Sequence, residues 1–174
     1  MTDQSDDVRR PSFLRALAEP RCAAMAGLGF ASGLPFAIIT ETSTARLAQL
    51  GVDRTTIGLL GAISSVYAFK FLWAGFVDAR SVPGFAAFGR RRSWLIATNA
   101  ALVVLVALLA FFVPATKTDA LMPFAAMLVA MSVLSATFDL AVNAWTIERF
   151  PRRELGVGSS LSVTGYRISR LVGG

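Results

Sequence analysis

The chain has 174 residues, of which 55% are hydrophobic and 16% charged, and its mean hydropathy is +0.60. Soluble domains carry about 25% charged residues, so a water-soluble globular domain is excluded, as is a disordered chain, which cannot hold this much apolar surface. A net charge of +6 without any histidine, and a single cysteine, Cys22, exclude histidine-based triads, His-containing metal sites, internal disulfides and cysteine clusters.

Residues 1–21 are polar, with Asp3, Asp6 and Asp7 followed by Arg9, Arg10, Arg15 and Arg21, and read as a water-exposed lead. Within it, Pro11–Pro20 has the pattern of a short amphipathic helix on the membrane surface, through Phe13, Leu14 and Leu17. The acidic start and the lack of a small-x-small cleavage site argue against a secretory signal.

Four long apolar runs follow. They are residues 22–39 with a polar continuation to Leu50, residues 56–77, residues 93–113 and residues 120–147. Each reaches the ~20 residues that cross a ~30 Å hydrocarbon core at 1.5 Å per residue, which predicts four transmembrane helices. A fifth helix begins near Gly156 and the sequence stops within it, at Gly174. It carries Arg167 and Arg170, and a charge near the bilayer centre costs at least ~2.5 kcal/mol. Such a helix needs partner helices or a water-filled cavity around its arginines. The expected fold is an all-α integral membrane bundle, four full helices and the start of a fifth, over residues 22–174.

If the N-terminus lies in the cytoplasm, the inner segments hold Arg9, Arg10, Arg15, Arg21, Arg80, Arg90, Arg91, Arg92, Arg149, Arg152 and Arg153. The outer loops then hold Arg54 and Lys117, each beside an acid. This positive-inside bias predicts a cytoplasmic N-terminus and accounts for the basic balance without nucleic acid; the arginine groups also lack the alternating aromatics of a stacking platform. Small residues at helical spacing, Gly29 and Gly33 in the first span and Gly58, Gly61, Ala62, Ser64 and Ser65 in the second, predict closely packed helices.

Candidate chemistry concentrates on the fourth span. Ser132, Ser135, Asp139, Asn143 and Thr146 recur at intervals of 3 and 4 and share one face, opposite Met127, Val133, Leu134 and Leu140. An ionised Asp139 there is costly and calls for a cation or a proton, so it reads as a proton-exchanging group or as half of a structural ion pair. Lys70 in the second span is the natural partner, with snorkelling to the interface as its alternative. The first span has Pro35, which reads as a packing kink or as a break lining a cavity, followed by Thr40, Glu41, Thr42, Ser43, Thr44 and Arg46. Glu41 is a candidate for cation or substrate contact.

Between the second and third spans, Gly75-Phe-Val-Asp78-Ala-Arg80 precedes Gly89-Arg90-Arg91-Arg92. An aspartate closing one helix and a Gly-Arg-Arg entering the next resembles the loop signature of the major facilitator superfamily. Gly29-Phe-Ala-Ser-Gly-Leu-Pro35, Thr56-Ile-Gly58, Phe69-Lys-Phe-Leu-Trp-Ala74, Gly89-Arg-Arg-Arg-Ser-Trp94, Ser135-Ala-Thr-Phe-Asp139 and Gly165-Tyr-Arg167 occur in this order. Together they resemble the AmpG-type muropeptide permeases, which are related to acetyl-CoA transporters.

That resemblance implies a twelve-helix, proton-driven carrier of the bacterial inner membrane importing anhydromuropeptides, with this chain as an N-terminal fragment that lacks the rest of the carrier. It places Lys70, Asp139 and Arg167 at charged family positions inside the bundle. The chain departs from the family at Phe138, where glutamine is usual, at Asn143, where a second acid is expected, and at Gly75, where proline is expected. The competing functional class is a small helical membrane protein that binds or regulates a partner. The residues offer little for a membrane enzyme, and neither a cofactor nor a metal is expected.

Overall fold

The computed structural model describes residues 20–111, 121–151 and 155–173. The lead up to residue 19, its surface-helix segment, and Lys117, Arg152 and Arg153 lie outside the described residues.

The described residues form an all-α bundle of five helices and contain no strand. They are α1 (Pro20–Gln49), α2 (Arg54–Ala79), α3 (Arg90–Phe111), α4 (Leu121–Arg149) and α5 (Leu155–Gly173), with one short 3₁₀ turn at Ala86–Phe88. The first four are long and apolar enough to cross a membrane; α5 is not among them. Their ends fall within three residues of the apolar runs, extended by polar residues that only the backbone geometry assigns to helix.

Helix ends follow local chemistry. After Gln49 the chain turns through Gly51 at φ 68°, and the Val52 amide donates to the Leu47 carbonyl at 3.1 Å while the Gly51 amide donates to Ala48 at 3.0 Å. This is a Schellman stop, which needs a left-handed residue where glycine sits. Asp53 then caps α2: Thr56 donates its hydroxyl to Oδ1 at 2.7 Å and its amide to Oδ2 at 2.8 Å. Those bonds hold the Asp53 carboxyl below the ordinary carboxylate range. A depressed acid stabilises above its unfolded value, and the contribution is lost as pH falls through the lowered one. Asp53→Ala is expected to fray the first turn of α2, seen as faster amide exchange over residues 54–57 at neutral pH. The difference from wild type should vanish in acid.

The core lies among α1, α4 and α5, with Met25, Leu47, Leu128, Met131, Phe138 and Leu161 almost fully enclosed. The closest pairing is α1 with α5; α3 and α2 both pack on α4. On α5 the buried residues Gly158, Leu161, Gly165 and Ser169 recur every three or four positions; Gly165 and Ser169 lie against α1 and Gly158 against the Phe150 ring. A Cβ added to Gly29 would overlap the Ser162 backbone carbonyl, one on Gly33 the Ser169 hydroxyl, and one on Gly165 the Ala26 carbonyl. Backbones meet here because side chains are missing. Two glycines of the second span behave differently: among the described residues nothing lies within 4 Å of a Cβ built on Gly58 or Gly61, so the close packing expected there is not seen at these two positions. The outer faces of α2 and α3 carry exposed Phe71, Leu72, Val103 and Val104, as a hydrocarbon surrounding allows.

Two helices change their winding. In α1, Ile38–Thr42 is a wide π turn: the Ser43 amide and hydroxyl both donate to the Ile38 carbonyl, the hydroxyl at 2.7 Å. It begins three residues after Pro35, whose ring nitrogen cannot donate to the preceding turn. In α2, Ala62–Lys70 is tightened into a 3₁₀ stretch, and the Ser64 hydroxyl donates to the Gly61 carbonyl at 2.7 Å.

Candidate functional site

The centre of the site is an ion pair between α2 and α4. Lys70 Nζ donates to Asp139 Oδ2 at 2.5 Å, with the two side chains 31% and 23% exposed. Both lie inside membrane-spanning helices, and Lys70 does not run to the interface alone. Its ammonium also stands 5.0 Å from the centre of the Tyr67 ring, one helical turn earlier. Asp139 accepts two further weak bonds, from the Ser32 hydroxyl of α1 at 3.4 Å and from Asn143 Nδ2 at 3.3 Å. One carboxylate therefore ties three helices together and holds a cation beside it.

The polar face read on α4 divides when packed. Ser132, Ser135 and Thr146 are buried, whereas Asn143 is exposed and reaches Asp139 from its edge. Thr146 donates to the Val142 carbonyl at 2.7 Å and turns its hydroxyl towards Met25 Sδ at 3.5 Å, so it belongs to the core. The hydroxyls of Ser132 and Ser135 are enclosed with no hydrogen-bond partner among the described residues. The Tyr67 phenol faces both Ser135 and Ser32. Phe138, at the position where glutamine was expected, is 1% exposed and is absorbed by the core.

Three rings surround the pair on one flank. Phe36 of α1 meets Tyr67 of α2 edge-on at 5.8 Å and Tyr166 of α5 at 6.3 Å. Trp73 of α2 donates its indole N–H to Thr137 Oγ1 at 3.1 Å, a second polar tie between α2 and α4.

Glu41 and Arg170 form the next ion pair, joining α1 to α5 beyond the aromatic rings. The Arg170 guanidinium also lies 5.7 Å from the Phe36 ring centre, and the Thr42 hydroxyl donates to the Gly173 carbonyl at 2.6 Å. Arg167, for which partner helices or a water-filled cavity were expected, is exposed and has no ion pair among the described residues; Arg170, also exposed, holds the paired position. Pro35 is buried and leads into the π turn, which lets the neighbours Glu41 and Thr42 both reach α5.

At the opposite end, Arg91 is shared by two acids. It pairs with Asp78 at the end of α2, and its Nε donates to Glu148 Oε1 of α4 at 2.9 Å. Gly89 has φ 87°, so the turn that aims Arg91 inward needs a residue without a side chain. Arg90 is exposed. Trp94 donates its indole N–H to the Arg80 carbonyl at 2.7 Å, and the Val82 amide donates to Ser93 Oγ at 3.2 Å, which pin the connecting loop.

Sequence reasoning singled out Lys70, Asp139 and Asn143, which the structure brings together, and Asp78 with Arg91, which it pairs. It did not single out Tyr67, Tyr166, Ser32 or Trp73. Their signal is faint: each is one aromatic or hydroxyl among several in its span, with no spacing that links one span to another.

Comparison with known proteins extends over most of the chain. The family profile described as acetyl-coenzyme A transporter 1 matches residues 27–172. The anhydromuropeptide permease of Escherichia coli strain K12 is 41% identical over 162 residues, which cover 93% of this chain and 32% of that protein. The protein named transporter AmpG 4 of Rickettsia felis is 31% identical over 147 residues, 84% of this chain and 35% of its own length. Transporter AmpG 1 of Rickettsia conorii is 33% identical over 147 residues, 84% of this chain and 34% of its own. The chain thus spans about a third of the length of these relatives.

Proposed function

Because the chain belongs to the acetyl-coenzyme A transporter family, we propose that it forms one wall of a secondary active carrier that takes up a polar or anionic solute in exchange for the energy of a proton gradient. Anhydromuropeptides are the proposed cargo, after the relative that carries that name over nearly the whole of this chain. The remaining wall of the pathway would come from sequence beyond the third of the relatives' length that the chain covers.

The observation that carries the proposal is the Lys70–Asp139 pair, held inside membrane-spanning helices by 2.5 Å geometry and flanked by hydroxyls and rings. A charge in that position is costly unless it is matched. When Asp139 takes a proton, Lys70 loses its counter-charge and can meet an anionic group of the solute. When the solute leaves, the carboxylate gives up the proton and the pair closes again. The residues provide a proton carrier and a cation, and the relatives named permease and transporter favour carriage over catalysis; no cofactor is assigned. The arginines around Arg91 favour a cytoplasmic location for that end, and with it a cytoplasmic N-terminus in a bacterial inner membrane.

The test is uptake by the intact carrier in vesicles with an imposed proton gradient. Asp139→Asn keeps the size and the hydrogen-bonding capacity but cannot carry a proton. Accumulation of labelled anhydromuropeptide against its gradient should fall to the level of empty vesicles, while exchange at equal concentrations persists. Undiminished uphill accumulation in the variant would overturn the proposal.

A further inference from the structure

The geometry points to a binding site for an anionic phospholipid between the ends of α3 and α4, separate from the ion pair of the pathway. A cavity of about 410 Å³ opens there, and Arg90, Arg91, Arg92, Trp145, Glu148 and Arg149 are among the residues that line it. Glu148 and Asp78 are both engaged by Arg91. Arg90, Arg92 and Arg149 are exposed and have no ion pair among the described residues. Among the described residues, four arginines stand against two acids there, an excess of two positive charges.

A second opening adjoins it and shares Arg92 and Trp145. Its other walls are Ala24, Gly27 and Leu28 of α1 and Leu95 and Ile96 of α3, so it is an apolar groove running away from the arginines along the membrane-spanning part of the bundle. A basic pocket that continues into an apolar groove at the end of a membrane span complements one kind of molecule: a phosphodiester on the arginines and an acyl chain between α1 and α3. Basic pockets between transmembrane helices hold anionic head groups in this way, and a tryptophan at the junction suits the boundary between head group and hydrocarbon. A free phosphate would use the arginines and leave the groove idle.

The test titrates the purified intact protein in detergent with phosphatidylglycerol or phosphatidylcholine and counts bound lipid by native mass spectrometry. Phosphatidylglycerol should stay bound at concentrations about tenfold below those that phosphatidylcholine needs. Replacing Arg90, Arg92 and Arg149 together by glutamine should remove that preference. Gly27→Leu fills the groove at a position where a new side chain meets open space, and should weaken both lipids alike. Excess inorganic phosphate should leave lipid binding unchanged. Equal retention of the two lipids by wild type, or displacement of phosphatidylglycerol by phosphate, would overturn the assignment without recourse to any variant. So would full lipid binding by Gly27→Leu, which would give the groove to another segment of polypeptide.

Discussion

Gly29→Ala and Gly165→Ala should each strip α5 from α1 and remove the folded protein from the membrane. A single methyl at either position meets backbone, the Ser162 carbonyl in one case and the Ala26 carbonyl in the other. Overpacking costs about 1–3 kcal/mol when side chains can move aside, but backbone inside a helix cannot, so the loss should exceed ~4 kcal/mol. The described part of α5 is not among the helices long and apolar enough to cross a membrane, and its buried stripe rests mainly on α1. Gly58→Ala provides the contrast, since its new methyl meets nothing within 4 Å. The yield of monodisperse protein and the midpoint of thermal unfolding in detergent check the result. Equal behaviour of Gly29→Ala and Gly58→Ala would contradict the packing described.

The second large effect concerns the pair at the centre. Lys70→Met leaves Asp139 with only the Ser32 and Asn143 contacts, at 3.4 and 3.3 Å. Removing one partner of a buried pair costs about 3–5 kcal/mol, and the partial exposure of both side chains places this case near the lower end. The double variant Lys70→Met with Asp139→Leu removes both charges and should recover most of the lost stability, because the unmatched charge is what destabilises. Transport should not return in the double variant. A double-mutant cycle on unfolding midpoints, run beside the uptake assay, separates the two roles. A double variant less stable than either single one would show that the pair itself carries the stability.

Much of the bundle was legible in the sequence, because hydrocarbon imposes length and apolarity on any helix that crosses it. The four spans and the dependence of the fifth on its neighbours follow from that constraint alone. What a residue faces is another matter. Gly29 and Gly58 have the same local pattern of small residues, yet one meets a carbonyl and the other open space. Glu41 finds Arg170 across a separation of 129 residues, and nothing local tells Arg170 from Arg167, three positions earlier. The pairing of Lys70 with Asp139 was legible because an unmatched charge inside a span is so expensive that few partners exist. Tyr67 escaped notice, and Ser32 and Trp73 entered only within family motifs without a role, because neutral polar groups carry no such penalty. The changes of winding in α1 and α2 also left no clear trace, since hydrogen-bond register is set by neighbours as much as by residue type.

The tightened stretch Ala62–Lys70 gives α2 a reserve of travel. A 3₁₀ helix rises about 2.0 Å per residue against 1.5 Å in an α-helix, so relaxing nine residues would shorten the segment by about 4.5 Å. Lys70 stands at the end of that stretch, and the same relaxation would swing its ammonium around the helix axis. Such a coiled segment stores displacement as a wound spring does: a change of pitch alone could carry one charge past another without tilting the rod that bears it.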